Sequence, residues 1–298
     1  MAGLRPILLI GGNGQVGWEL QRSLAPLGHV VTLDRTGLDL ANPDAIRAVL
    51  REISPGLVVN AAAYTAVDRA EQEADLAQAI NGTAPGVMAE EAKRLNAALV
   101  HYSTDYVFGG SADRPWREDD PTGPLSVYGR SKLAGETAIR AVGGAHLILR
   151  TSWVYAMRGH NFLLTMRRLA AEREELRVVD DQTGAPTWAR GIAEATGLIL
   201  ARARAVEGTG ELAERSGVYH LAAGGMTNWH GFATVIVERM RESGAQVACR
   251  AVTAIPTSAY PTPARRPAWS VLDCGKLRDT FRIALPDWRE QLDLCLAG

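Results

Sequence analysis

Residues 6–17 read PILLIGGNGQVG, an apolar run that stops at Ile10 and passes through Gly11, Gly12, Gly14 and Gly17. Consecutive apolar residues without polar alternation suit a strand covered on both faces. The glycines that follow are spaced G-x-x-G-x-x-G, and a helical pattern opens directly behind them. Such a turn lets the backbone approach a pyrophosphate closely, while the helix start offers free N–H groups and a partial positive charge. A glycine-rich turn alone is weak. Closing a first strand and opening a first helix, it reads as a phosphate cradle, with Gly11, Gly14 and Gly17 as cofactor-binding candidates.

Outward from this turn, short apolar runs alternate with longer amphipathic ones. Strands are expected at 6–10, 30–34, 57–60, 99–103 and 147–150, with helices at 17–24, 44–51, 76–95 and 128–141. Alternation of this kind implies right-handed crossovers and an α/β fold, a Rossmann-like, doubly wound parallel sheet. After residue 155 the rhythm loosens. A basic helix at 161–173 leads to a strand at 176–179, the turn-rich DDQTGAPTW, a helix at 190–203, a strand at 218–221 and a helix at 229–242. Residues 255–267, IPTSAYPTPARRP, carry too much proline for a regular element and read as an ordered loop over a surface. Residues 1–155 are therefore expected to form an NAD(P)-binding domain. Residues 156–298 form mainly a smaller, mixed α/β substrate-binding region, interleaved with the first domain, which also receives parts of 186–222.

The chain has 298 residues, of which 47% are hydrophobic and 22% charged, so wholesale disorder is excluded. A formal net charge of -1 gives no polyanion-binding surface, and no nucleic acid is expected as partner. Phosphate recognition must be local. Cys249, Cys274 and Cys295 are widely spaced and odd in number, which fits reduced thiols and a cytoplasmic protein. The apolar run at 7–10 is far too short for a membrane span and no cleavage site follows it, so no membrane partner is expected.

The second strand ends in Asp34-Arg35. An acid there can hold the adenosine ribose hydroxyls of NAD, and an arginine can neutralise the 2′-phosphate of NADP. Both are present, so use of NADPH with NADH also accepted is expected; a solvated charge pair is the plain alternative. The third strand ends in NAAAYT (60–65), where small residues either admit a flat cofactor or serve tight helix packing. The fourth ends in YSTDYVF (102–108), and Tyr128-Gly129-Arg130-Ser131-Lys132 follows on a helix. Tyr128 and Lys132, four residues apart, share one helix face. A free tyrosine is a weak acid, and a lysine one turn away is expected to bring its pKa down toward neutrality. Thr104 can donate its hydroxyl to a substrate oxygen. The chemistry implied is hydride transfer to a carbonyl, with Tyr128 as proton donor and Thr104 and Lys132 stabilising the charge.

These residues together resemble the extended short-chain dehydrogenase/reductase family, with its Ser/Thr, Tyr and Lys triad, and within it the dTDP-4-dehydrorhamnose reductases. The matching segments are GQVGWELQRSLAP (14–26), NAAAYTAVDRAE (60–71), HYSTDYVF (101–108), YGRSKLAGE (128–136), RTSWVYA (150–156), DDQTGAPT (180–187) and PTSAYPTPARRP (256–267). The resemblance implies reduction of the C4 keto group of a dTDP-sugar, dTDP-4-dehydro-L-rhamnose. It also implies that Gly14, Gln15, Val16, Asp34, Asp39, Leu40, Ala63, Tyr64, Thr65 and Tyr102 line the cofactor, that Thr104, Tyr128 and Lys132 are catalytic, and that Asp105 and Trp153 face the sugar nucleotide. The face of Trp153 suits the apolar side of a deoxysugar, although a core tryptophan reads equally well. Arg265 and Arg266 are candidates for the diphosphate, beside the alternative of solvated surface arginines.

Some members of the family hold magnesium with carboxylates at a dimer interface. Glu19 lies in a matching segment, but Arg190 stands where such members have a carboxylate, and a cation does not belong in a magnesium site. A metal-bridged dimer is not expected, and a homodimer of another kind stays open. Two other readings compete. A 4-epimerase or 4,6-dehydratase shares the scaffold, but dehydratases follow the threonine with Asp-Glu, whereas this chain has Asp105-Tyr106. A non-catalytic NAD(P)-binding regulatory subunit would have no use for Thr104, Tyr128 and Lys132 together.

Overall fold

The computed structural model describes residues 5–203, 205 and 209–298. Its centre is a six-stranded sheet, parallel at every pairing. We label its first five strands β1 (Ile7–Ile10), β2 (Val30–Leu33), β3 (Leu57–Asn60), β4 (Ala98–Thr104) and β5 (His146–Thr151). The sixth, Gly217–His220, pairs with β5 at one edge, giving the order Gly217–His220, β5, β4, β3, β1, β2. The doubly wound parallel sheet is as expected. The chain leaves β1 for β2 and then returns across β1 to β3. Its winding therefore reverses between β1 and β3, which opens a crevice at the carboxyl ends of those strands.

Alternate residues of each strand serve opposite cores, because strand side chains alternate in direction. Leu9, Val59, Val100 and Leu149 pack against Leu20 and Leu24 of α1 (Gln15–Leu24) and against Ile192, Ile199 and Leu200 of the helix Ala189–Arg202. Leu8, Val58, Leu99 and Ile148 face the other way, onto Ile46 and Leu50 of α2 (Pro43–Ile53), Met88 and Ile139. One strand from the second half of the chain is thus built into the first-half sheet, and the helices Ala189–Arg202, Gly210–Glu214 and Gly275–Phe281 contribute Ile192, Leu212, Leu277 and Phe281 to its core. A third core, around Tyr155, Leu163, Met166, Phe232, Ile236, Trp288 and Leu292, holds the remaining C-terminal elements together. Glu118 accepts from the backbone N–H of His220 and Lys276 donates to the carbonyl of Val218, which occupies two of the edge strand's outward polar groups.

One helix departs from the pattern. The stretch expected as a single helix at 76–95 is Ala74–Gln78, then a π-helical turn Ala79–Thr83, then Ala84–Arg94. The extra residue in that turn presents Asn81 to the neighbouring loop, where its side chain pairs with the backbone of Tyr64. The proline-rich stretch contains the end of the strand Ala251–Ile255, a short 3-10 turn Thr257–Ala259 and no other regular element. Among the described residues no helix is long and apolar enough to cross a membrane.

Candidate active site

The glycine turn is shaped by contacts that no side chain would tolerate. Gly11 sits at φ +88, and a Cβ there would lie 2.7 Å from the Ala62 nitrogen at the end of β3. A Cβ on Gly17 would lie 2.1 Å from the Gly11 carbonyl oxygen, so α1 is pressed directly onto the turn. Gly14 is the N-cap of α1, with no side-chain cap over the first turn and no acid within it. Those first N–H groups therefore face the crevice unpaired by side chains, which suits a dinucleotide pyrophosphate. Asn13 within the turn donates to Asp34 at the end of β2, and Asp34 also accepts from the N–H and hydroxyl of Thr36. Those bonds, led by the Thr36 hydroxyl, hold the Asp34 carboxyl below its usual range. Arg35 is exposed beside it; Asp39 is exposed and Leu40 buried.

Beyond β3, Asn60 accepts from Ala62 N–H at 3.1 Å, and Asn81 braces Tyr64 at both its N–H and its carbonyl. Asn81 also donates to Ser131 at 3.1 Å, tying the Ala63-Tyr64-Thr65 loop to the helix that carries Tyr128. That helix, Val127–Val142, starts where Ser126 caps the Gly129 N–H and Glu71 accepts from the Val127 N–H at 2.8 Å. Gly129 is a packing device: a Cβ there would come within 2.3 Å of the Tyr106 carbonyl oxygen.

Thr104, at the carboxyl end of β4, donates to Asp105 Oδ1 at 2.9 Å and lies beside the Tyr128 phenol. Tyr106 packs edge-on against the Tyr128 ring, with centroids 5.6 Å apart. Burial pushes the Tyr128 phenol up to about 12, against the helping Thr104 hydroxyl. This corrects the expectation that Lys132 would draw it down toward neutrality. Lys132 is turned instead toward His101 and the Tyr102 carbonyl, at 3.1 and 2.6 Å, and burial lowers the ammonium itself to about 8. In a poorly solvated pocket both charged forms are disfavoured, and here desolvation exceeds attraction. Burial likewise raises Asp105 to about 6, and its Oδ2 is enclosed without a hydrogen-bond partner.

The remaining predicted residues divide. The Tyr102 phenol points away from Lys132, bonded at 2.7 Å to Thr196 of the helix Ala189–Arg202. Trp153, at φ +47, is stacked face to face on Trp229, with centroids 3.5 Å apart. A Cβ on Gly184 would meet both the Trp153 ring and Ser270, and Ser270 in turn adjoins Asp105. Trp153 is thus joined to the Thr104 end of the site. Arg266 donates to Asp68 at 2.7 Å, and its charge bears on Tyr106; Arg265 is exposed. A cavity of about 730 Å³ lies alongside, lined by residues that include Phe162, Arg177, Trp229, Tyr260 and Arg266.

Glu19 is paired with Arg22, and Arg190 with Glu194. Among the described residues no group of three or more His, Cys, Asp or Glu is arranged to hold a metal ion. His101, Asn81, Trp229 and Asp68 were not singled out from sequence. His101 alone left a signal there, a polar residue inside an apolar strand run.

The chain matches the family model described as RmlD substrate binding domain over residues 5–298. It is 53% identical over 292 residues to a dTDP-4-dehydrorhamnose reductase of Burkholderia thailandensis, with 97% of each chain covered. Among solved structures it resembles a dTDP-4-dehydrorhamnose reductase of Clostridium acetobutylicum, with TM-score 0.88, 35% identity and 98% of both chains covered. It also resembles the Bacillus anthracis dTDP-4-dehydrorhamnose reductase in complex with NADP, with TM-score 0.86 and 33% identity, covering 98% of this chain and 99% of that one.

Proposed function

This chain belongs to the RmlD family, and from that premise we propose that it reduces the C4 keto group of dTDP-4-dehydro-L-rhamnose to dTDP-L-rhamnose with NADPH, NADH also being accepted. The observation that carries the reading is Thr104 beside the Tyr128 phenol at the carboxyl end of β4, in a sheet whose first turn is a glycine cradle. The crevice fits the cofactor, since a Cβ at Gly11 or Gly17 would collide with backbone and α1 begins without a side-chain cap. Gln15, Val16, Asp34, Arg35, Asp39, Leu40 and the 63–65 loop are assigned to it. When bound, the reduced nicotinamide supplies the hydride that the carbonyl carbon accepts.

The protein's own residues supply the rest. With its pKa raised to about 12, Tyr128 keeps its proton throughout the neutral range and is an acid ready to donate to the carbonyl oxygen. Thr104 orients that oxygen with its hydroxyl, and Lys132 holds the cofactor side of the pocket. Asp105 and Trp153 are assigned to the sugar, and Arg266 to the edge of the nucleotide cavity, with exposed Arg265 the weaker candidate. Residues 1–155, together with parts of 186–222, form the cofactor unit and 156–298 mainly the substrate unit. A cytoplasmic protein without a metal bridge, working on a dTDP-sugar and not on nucleic acid or membrane, is consistent with three free cysteines and with the Arg190–Glu194 pair.

The test supplies NADPH or NADH with dTDP-4-dehydro-L-rhamnose and follows loss of reduced-nicotinamide absorbance. Consumption by the wild type and a fall of roughly 10²-fold or more in Tyr128→Phe are expected. No consumption, or an undiminished rate in that variant, sinks the mechanism.

A further inference from the structure

Arg266 is held by a carboxylate 198 positions away in sequence. Its Nη1 and Nη2 donate to Asp68 Oδ1 and Oδ2 at 3.1 and 2.7 Å, and Nη1 also donates to the Thr262 hydroxyl. Asp68 Oδ1 accepts in addition from the Ala264 N–H at 3.1 Å. Asp68 lies on the short helix Val67–Ala70, just beyond the 63–65 loop, whereas Thr262, Ala264 and Arg266 lie in the proline-rich stretch. One end of that stretch is thus tied to the first half of the chain. Its other end is tied to the second half, where the Asp181 carboxylate accepts from the N–H and hydroxyl of Thr257. Between the two carboxylates, Tyr260, Thr262 and Arg266 line the cavity of about 730 Å³.

A guanidinium carries its N–H donors in a planar fork with an end edge, Nη1 and Nη2, and a side edge, Nε and Nη2. Either edge fits one carboxylate or phosphate. Asp68 takes the end edge, so the side edge is the one that can meet a ligand. The cavity's other arginines, Arg168, Arg173 and Arg177, are exposed, whereas Arg266 is half-buried. Burial disfavours the Arg266 cation, and its bonds to Asp68 outweigh that effect. Burial likewise disfavours the Asp68 anion, and Arg266 with the Ala264 N–H outweighs it. An arginine pinned in this way has less rotamer freedom to lose when it binds. We propose that Asp68 is a positioning residue for the sugar-nucleotide substrate: by holding the end edge of Arg266 and the Ala264 N–H, it presents the side edge of Arg266 to a diphosphate in the cavity. The inference rests on the reading of the substrate as a nucleoside-diphosphate sugar. It makes the first half of the chain responsible for the orientation of a substrate-side arginine.

Thymidine and dTDP differ only in the diphosphate, so the ratio of their dissociation constants isolates its contribution. Both are titrated by calorimetry into the wild type, Asp68→Asn, Arg266→Gln and the double variant. The wild type is expected to bind dTDP the more tightly. In Asp68→Asn an oxygen still accepts from Ala264, but an NH₂ group faces the fork. That variant is expected to bind dTDP about tenfold more weakly, the scale of ordering one long side chain on binding. Thymidine and NADP⁺ are expected to bind it unchanged, since Asn81 braces the 63–65 loop. Arg266→Gln lowers the ratio at least as far, and adding Asp68→Asn lowers it no further. Asp181→Ala frees the other end of the stretch and is expected to leave the ratio unchanged. A ratio that stays or rises in Asp68→Asn overturns the proposal, as does an equal fall in Asp181→Ala or a loss shared by thymidine or NADP⁺. Should Asp68→Asn not fold, Asp68→Glu serves, since a longer arm keeps the charge but turns the fork, and the same fall is expected. Turnover is not read. An unchanged ratio beside normal NADPH consumption sinks the role of Asp68 alone, whereas a wild type that binds dTDP no more tightly than thymidine sinks the diphosphate reading with it.

Discussion

Asp105 shows most directly how the site trades stability for chemistry. Its carboxyl is fully enclosed, one oxygen bonded to Thr104 and the other without a hydrogen bond, and burial raises it to about 6. Its pKa is thus higher folded than unfolded, so stability is present at low pH and lost as pH rises from about 4 through about 6. Asp105→Asn is therefore expected to stabilise the protein by on the order of 2 kcal/mol at pH 8 and by about half that at pH 5. Urea unfolding at the two pH values checks this, and a gap that narrows with rising pH contradicts it. Activity is expected to fall in the same variant, as is common where a strained site serves function. Trp153 is a second residue held at a cost: a non-glycine residue at φ +47 is strained by about 1–3 kcal/mol. Its stack on Trp229 contributes toward offsetting that strain.

Among the elements, the helix Val127–Val142 is seated by glycines rather than by large side chains. Gly129 touches the Tyr106 carbonyl and Gly135 the Asn81 carbonyl, where Cβ atoms would fall at 2.3 and 2.2 Å. Gly129→Ala must push the helix start off the end of β4, moving Tyr128 relative to Thr104. A cost of about 1–3 kcal/mol is expected from overpacking, with turnover falling further than thermal stability alone predicts. Wild-type turnover in the folded Gly129→Ala protein would show that this contact does not position Tyr128. The same helix carries Glu136, whose carboxylate is bound by Arg150 in the core. Glu136→Ala strands a buried guanidinium and is expected to cost about 3–5 kcal/mol, read from chemical unfolding.

The whole molecule responds to acid through its buried histidines. Burial is the chief cause that lowers His101, His146 and His220, the last to about 3. The unfolded chain takes up these protons near pH 6.5, whereas the folded one resists, so stability falls as pH drops below about 6.5. Asp105 and Glu118, both raised by burial, oppose the trend, but they are two groups against three. A net loss on the order of 3 kcal/mol is expected between pH 7.5 and 5, visible in the urea midpoint. His220→Gln is expected to shrink that loss; an unchanged slope would place the acid sensitivity elsewhere.

Much of the architecture was legible because it is written in local pattern. Unbroken apolar runs of four or five residues, the glycine turn and the four-residue spacing of Tyr128 and Lys132 depend only on neighbours in sequence. They determined the doubly wound sheet, the phosphate cradle and the shared helix face. Which partner each polar group found was not local. Asn60 meets His101, His101 meets Lys132, Tyr102 meets Thr196, Arg266 meets Asp68 and Trp153 meets Trp229 across long stretches of chain. The direction of the Tyr128 shift also escaped sequence, since spacing gives the distance along a helix but not the loss of water around it. Sequence alone determined the parallel sheet, the glycine turn at the end of its first strand and the helical spacing of Tyr128 and Lys132. Only the tertiary structure decided how the residues of the crevice are charged and held there, because desolvation and hydrogen-bond direction arise from surroundings assembled by distant segments.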